Sequence, residues 1–309
     1  MQARILRIGT RGSPLALAQA HEVRARLMAA HDLPEHAFEI RIYKTTGDVI
    51  LDRPLSEVGG KGLFTKEIEE ALIAREIDLA VHSMKDMQTH LPDGLVIGAV
   101  LPREDVRDAF ISVKYGKLAE PPAGAVVGTS SLRRQAQVKR IRPDLKVIAF
   151  RGNVQTRLKK LADGVADATL LACAGLKRLG MAERITSEIE TSDMLPAVAQ
   201  GAIAIEIRED DAETAQAIAP LNHEPTALCV TAERAFLTRL EGSCRTPIAG
   251  LAELRGDTLW FRGIVFTPDG EESFEVERDA PASEAASLGT TAADILLERG
   301  AERLLARAT

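Results

Sequence analysis

Ala125-Val126-Val127-Gly128-Thr129-Ser130-Ser131-Leu132-Arg133-Arg134 is a short apolar strand that turns, through small and hydroxyl-bearing residues, into a helix. The pattern recurs twice. Val147-Ile148-Ala149-Phe150 turns at Arg151-Gly152-Asn153 into a helix carrying Arg157, and Thr169-Leu170-Leu171-Ala172 leads into Ala174-Gly175-Leu176-Lys177-Arg178. Strands alternating with helices in this way predict a parallel sheet with helices on its faces. In such sheets ligands bind beyond the carboxyl ends of the strands, where helix amino termini offer free N–H groups to anions.

That placement gathers Thr129, Ser130, Ser131, Arg133, Arg134, Arg151, Arg157 and Arg178 at or near one sheet edge. A ligand with several carboxylates or phosphates is the expected partner, because the planar guanidinium fork suits paired contact with a carboxylate and keeps its charge. From Arg133 to Lys160 there are ten Lys and Arg residues against one acid, Asp144. A solvated helix surface explains Lys139, Arg140, Arg142, Lys159 and Lys160 equally well. A nucleic-acid patch is a weaker reading: net charge is -6, aromatics are 4% of the chain, and only Phe150 is interleaved with the basic run.

The amino-terminal third repeats the theme. Ile5-Leu6-Arg7-Ile8 is a strand, and Gly9-Thr10-Arg11-Gly12-Ser13-Pro14 is a turn with Ser13 as N-cap and Pro14 opening the helix. Arg11 and Ser13 thus face the same kind of anion site, although capping alone accounts for Ser13. Lys66 to Ile77 fits a helix with Ile68, Ala71 and Leu72 inward. Leu79-Ala80-Val81-His82 delivers Ser83-Met84-Lys85-Asp86 to a strand end, which makes Asp86 a candidate acid or base among basic residues. His82, inside the strand, reads as structural. Gly59-Gly60-Lys61-Gly62 lacks the spacing of a phosphate loop and reads as a mobile loop or lid.

Leu95 to Leu101 is a further strand, followed by a crossing at Pro102 to Asp108 into a second sheet and a return near Asp193 to Pro196. Ile203 to Ile207 then completes the first sheet. Pro225 to Leu240 reads as a helix stopped by Gly242, Ile248 to Val276 as antiparallel strands turning at Pro268-Asp269-Gly270, and Ser283 to Ala308 as helical. The expected organisation is an α/β lobe over 1–101 plus 198–220, a second over 102–197, and a smaller α+β domain over 221–309.

Just past the helix stop, Leu240-Glu241-Gly242-Ser243-Cys244-Arg245-Thr246-Pro247 holds a cysteine in a turn of small residues. Arg245 favours its thiolate, the reactive form, whereas a small apolar loop residue is the plain alternative. Cys173 and Cys229, at a strand end and in a helix, read as packing residues. An odd count of three cysteines without ligand spacing indicates neither a disulfide framework nor a metal site. No run reaches the apolar length of a membrane span, and Met1-Gln2-Ala3-Arg4 leads straight into strand-like sequence, so a cytoplasmic protein is expected.

Val81-His82-Ser83-Met84-Lys85-Asp86, Gly128 to Arg134, Arg151-Gly152-Asn153-Val154-Gln155-Thr156-Arg157-Leu158 and the segment from Glu233-Arg234 to Pro247 together resemble the porphobilinogen deaminases, in the same order and over about Ile5 to Gly250. The resemblance implies two lobes like the type II periplasmic binding proteins, a third domain, and a dipyrromethane cofactor joined to Cys244 by a thioether. It implies a transferase that condenses four porphobilinogens on that primer with loss of ammonia and then releases the linear tetrapyrrole. By motif, Asp86 is the catalytic carboxylate. Ser13, Lys85, Asp86, Thr129, Ser130, Ser131, Arg133, Arg134 and Arg157 hold the cofactor; Arg11, Ser13, Arg134, Arg151, Arg157 and Arg178 hold substrate; Gly59, Gly60, Lys61, Gly62 and Phe64 form the active-site loop.

A monomer acting on a small molecule, with no nucleic-acid, membrane or metal partner, is the expected state. Two positions depart from the family pattern: Met87-Gln88-Thr89 follows Lys-Asp where a proline is usual, and Ala199 replaces a glycine. The competing reading is a small-anion binding protein of the periplasmic type. A signal sequence is expected of such a protein, and Cys244 has no use in it.

Overall fold

The computed structural model describes residues 5–49, 62–243 and 246–307. Its strands are β1 (Leu6–Arg11), β2 (Phe38–Tyr43), β3 (Leu79–Ser83), β4 (Leu95–Val100), β5 (Asp108–Ile111), β6 (Val126–Gly128), β7 (Lys146–Ile148), β8 (Ala168–Ala172), β9 (Ser187–Ile189), β10 (Ile203–Arg208), β11 (Ile248–Arg255), β12 (Thr258–Phe266) and β13 (Ser273–Pro281). The helices are α1 (Pro14–His31), α2 (Thr46–Val49), α3 (Lys66–Ile73), α4 (Leu132–Ile141), α5 (Val154–Ala162), α6 (Cys173–Arg178), α7 (Ala212–Ile218), α8 (Glu224–Arg239), α9 (Ala285–Glu298) and α10 (Glu302–Ala306). The chain divides into two compact units: the described residues up to 49, 62–104 and 202–227, and then 105–201 with 228–307.

In the first unit the strand order is β2-β1-β3-β10-β4, with β1 parallel to β2 and β3 and β10 antiparallel to both β3 and β4. As the sequence predicts, the chain returns at β10 to complete this sheet. On one sheet face Ala20, Val23 and Leu27 of α1 pack on Ile8, Val81 and Ile205; on the other, Ile68 and Leu72 of α3 pack on Ile77 and Ala80. Ser13 accepts a hydrogen bond from the Ala16 N–H, and Pro14 occupies the first turn, where its missing donor costs nothing. α3 ends at Ile73, four residues before the expected stop, because Arg75 takes a left-handed backbone at φ 59°.

The second unit contains the sheet β7-β6-β8-β5-β9, in which β6 runs parallel to β7 and β8, and β5 antiparallel to β8 and β9. Each lobe therefore carries one strand reversed beside the third of its parallel trio. β6 ends on Gly128, where a Cβ would come within 2.5 Å of the Phe150 ring, so the absence of a side chain lets that ring close the turn. In the same unit β11, β12 and β13 form an antiparallel meander backed by α8 and α9, with Phe236 and Phe261 tilted ring to ring at 5.0 Å. The fold is thus mixed α/β: two sheet-bearing lobes and a smaller α+β domain.

Glu233 of α8 joins this meander to the return crossing. Its two oxygens accept the N–H groups of Ala252, at 2.8 Å, and Ala199, at 2.6 Å. Ala199 is held at φ 59°, where its Cβ crowds the following carbonyl. Ala199→Gly is therefore expected to stabilise the protein by roughly 0.5 to 1 kcal/mol, the relieved strain exceeding the added unfolded-state entropy. Urea denaturation should show a higher midpoint at unchanged slope. A lower midpoint would mean that the left-handed backbone is carried without strain.

Candidate active site

In the first unit, Arg11 at the end of β1, Ser13 at the cap of α1, Phe64 before α3, and His82, Ser83 and Asp86 at the end of β3 line one cavity of about 50 Å³. The Arg11 guanidinium lies over the Phe64 ring, 4.3 Å from its centroid, a cation–π contact that orients the fork. Gln19 donates to the Ser83 hydroxyl at 2.8 Å, and that hydroxyl donates back to the Gln19 carbonyl at 3.1 Å. Asp86 closes a single 3₁₀ turn that follows β3, and both it and Lys85 are half-buried. A larger depression of about 450 Å³, lined by Ile73, Arg75, Asp93 and Arg208, contains none of the predicted site residues.

In the second unit, the Thr129 to Ser131 turn is knitted by its own hydroxyls. The Ser131 side chain caps α4, Thr129 Oγ1 accepts the Ser131 N–H, and Ser130 Oγ accepts the Phe150 N–H at 2.9 Å. Asn153 caps α5 in the same way, and Arg157 Nε donates to the Gly152 carbonyl. Arg178 reaches the Gly201 carbonyl at 2.9 Å. Arg151 Nη1 is buried and has no hydrogen-bond partner among the described residues.

Arg133 and Arg134 are not displayed on the surface of α4. They are 4% and 5% exposed, and Asp108, at the start of β5, lies between them with N···O distances of 2.8 and 2.7 Å. The Leu195 and Leu170 carbonyls accept one further N–H from each, and Gln200 donates to Asp108 at 2.9 Å. Burial alone would raise the Asp108 carboxyl, but the two guanidiniums outweigh it and hold that carboxyl well below the usual carboxylate range. Burial pulls Arg133 below its ordinary value, with Asp108 opposing. One carboxylate between two guanidiniums leaves the group a net positive charge.

Asp108, Gln200 and Gln19 are absent from the sequence prediction. Asp108 was legible only as part of a crossing segment, since nothing local shows that β5 pairs with β8 and so comes beneath α4. The packing readings of Cys173 and Cys229 agree with their burial, and desolvation pushes the Cys173 thiol up to about 12, which removes its reactivity. Asp105, Cys173 and Glu188 approach one another within 4.8 Å, but Arg107 and Lys177 already pair with both carboxylates. Cys244, Arg245, Gly59, Gly60 and Lys61 lie outside the described residues.

The fold is that of a two-lobed α/β protein whose strand ends and helix starts carry hydroxyls and guanidiniums. Residues 6–216 match the family described as "Porphobilinogen deaminase, dipyromethane cofactor binding domain", and residues 227–298 match "Porphobilinogen deaminase, C-terminal domain". The chain belongs to the porphobilinogen deaminase family.

It is 63% identical to a porphobilinogen deaminase of Paracoccus denitrificans over 294 residues, covering 95% of this chain and 94% of that protein. A porphobilinogen deaminase of Nitrobacter winogradskyi is 56% identical over 296 residues, 96% of this chain and 94% of its own. The chloroplastic porphobilinogen deaminase of Pisum sativum is 59% identical over 278 residues, 89% of this chain and 75% of its own. Among solved structures, the methionine-binding protein MetQ aligns with 70% of this chain and 89% of its own at 14% identity and a TM-score of 0.44, a likeness that carries nothing about ligand or activity. No helix among the described residues is long and apolar enough to cross a membrane.

Proposed function

We propose that this chain is a hydroxymethylbilane synthase, a transferase that condenses four porphobilinogens on a dipyrromethane primer held by Cys244 through a thioether, and then releases the linear tetrapyrrole by hydrolysis. What carries this reading is that Asp86 shares one cavity with Arg11 and Ser13 in a chain whose residues 6–216 match the cofactor-binding domain of the family. The donor set also suits the primer. Its acetate and propionate groups call for several fixed cations and hydroxyls, and the buried Arg151 N–H without a partner is a donor awaiting such an anion. When bound, the primer supplies the free pyrrole α-carbon on which the chain is built.

The protein's side chains divide the remaining work. Arg11, Ser13, Arg134, Arg151, Arg157 and Arg178 orient substrate through its carboxylates. Ser13, Lys85, Thr129, Ser130, Ser131, Arg133, Arg134 and Arg157 hold the primer. Asp86 accepts pyrrole N–H bonds, stabilises the positive charge that builds on the substrate ring as ammonia departs, and takes part in removing the α-proton. Gly59, Gly60, Lys61, Gly62 and Phe64 are assigned to the active-site loop. The three-domain division at 101/102, 197/198 and 220/221, a monomeric assembly, a cytoplasmic location and the absence of nucleic-acid partners belong to the same proposal. A binding protein for a small anion is supported only by fold likeness and gives Cys244 no task.

Intact-protein mass spectrometry tests this directly. The purified chain is expected to be heavier than its sequence by two linked pyrroles, the increment mapping to the peptide that contains Cys244. Limited porphobilinogen should add pyrrole units stepwise, and Cys244→Ser should carry no increment and form no product. An unmodified chain that turns over porphobilinogen at full rate would sink the proposal.

A further inference from the structure

At the end of the return crossing, Ala199, Gln200 and Gly201 are each bonded to a different part of the second unit. The Ala199 N–H donates to Glu233 Oε2 of α8 at 2.6 Å. Gln200 Nε2 donates to Asp108 Oδ1 at 2.9 Å and to the Val106 carbonyl at 2.8 Å. The Gly201 carbonyl accepts from Arg178 Nη2 at 2.9 Å. Asp108 in turn holds Arg133 and Arg134, and Arg134 meets it through both Nε, at 3.2 Å, and Nη2, at 2.7 Å. Three arginines assigned above to primer or substrate therefore connect to one tripeptide, and the first N–H of that tripeptide is fixed by Glu233.

The backbone there is constrained on both sides of Gln200. Ala199 lies at φ 59° and Gly201 at φ 88°, both left-handed, and for an alanine that conformation persists only where the surroundings impose it. Glu233 imposes it from a fully buried position, its other oxygen accepting the Ala252 N–H of β11 at 2.8 Å. Joining the meander to the crossing does not by itself call for this carboxylate. The Pro196 carbonyl already accepts the Gly250 N–H at 3.1 Å, and Leu195 exchanges hydrogen bonds with the Gln137 side chain. Taking a carboxylate out of water is costly, and what Glu233 adds beyond those contacts is the placement of the residue next to Gln200.

We propose that Glu233 is a positioning residue for Arg134 and Arg178. By fixing the Ala199 N–H it sets the Gln200 side chain and the Gly201 carbonyl, which set the two guanidiniums, Arg134 by way of Asp108. This role rests on the substrate assignment of the two arginines given above.

Glu233→Gln keeps the shape but presents an NH2 group to one of two N–H donors. Ala252 is locked in the ladder opposite Phe261, so the strained Ala199 turn is the part that gives way. Two measurements on the primer-loaded protein read the result, after urea denaturation has shown each variant to be folded. In the 15N spectrum of arginine side chains, the Arg134 Nε–H resonance, assigned by its loss in Arg134→Lys, should be sharp in the wild type and shifted or broadened in Glu233→Gln. KM for porphobilinogen should rise about tenfold while kcat changes much less, the effect of misplacing a charge-assisted contact to a substrate carboxylate. Glu233→Met, which removes both acceptors at similar volume, should show the same changes more strongly. An unchanged Arg134 resonance in folded Glu233→Gln overturns the link from Glu233 to the arginines. A changed resonance with an unchanged KM overturns the positioning role, since a merely structural contact lowers stability without moving KM. The resonance needs no turnover, so its failure is distinct from failure of the assigned activity.

Discussion

Asp86→Asn is expected to lower kcat by at least about 100-fold while KM changes little, a loss of roughly 2.7 kcal/mol of transition-state stabilisation. The asparagine keeps the shape of a half-buried side chain at the end of β3 and keeps an acceptor oxygen. It gives up the negative charge and the capacity to take a proton. In the proposed assignment other residues hold the substrate through its carboxylates, so ground-state binding should survive and the loss should fall on the chemical step. Steady-state kinetics with porphobilinogen, together with detection of enzyme-bound pyrrole units, measure this. Near wild-type turnover would reassign Asp86 to a structural ion pair.

Asp108→Asn should cost about 3 to 5 kcal/mol of stability near neutral pH, the usual consequence of leaving buried charge without its partner. Two guanidiniums would then lie in the interior with only carbonyls for company, and the end of α4 next to the Thr129 to Ser131 turn would loosen. The pH dependence follows from the depressed Asp108 carboxyl. A group held below its unfolded value stabilises the fold fully above that value, about pH 3.9, and this contribution is lost as acid approaches the folded-state value. The gap between wild type and variant should therefore be constant from neutral pH down to about pH 4 and narrow below it. Urea denaturation at stepped pH would show this, and a gap that stays constant into strong acid would mean that Asp108 carries no charge in the fold.

Much of the architecture was legible in local pattern. The strand-turn-helix repeats from Ala125 onward, the Ser13-Pro14 cap and the Pro268 to Gly270 turn each encode their geometry in a few adjacent residues, and the described structure contains all of them. Element ends were less legible. α3 stops early because Arg75 adopts a left-handed backbone, a choice that no apolar spacing announces. The strand expected at Val147 to Phe150 ends at Ile148, since Phe150 turns to pack on Gly128 and gives its N–H to Ser130.

The sequence by itself determined the α/β class, the family and the residue types suited to an anion, because periodicity, capping and motif order depend on neighbours within a few positions. Only the tertiary structure decided which charges are already matched. Asp108 stands 25 positions from Arg133, and Glu206 stands 124 from His82, yet strand pairing seats each acid against its base. Electrostatics acts through space rather than along the chain. A buried carboxylate is therefore recognised as an anchor for two arginines, or as the partner of a buried imidazole, only when the sheet that brings the partners together is in view.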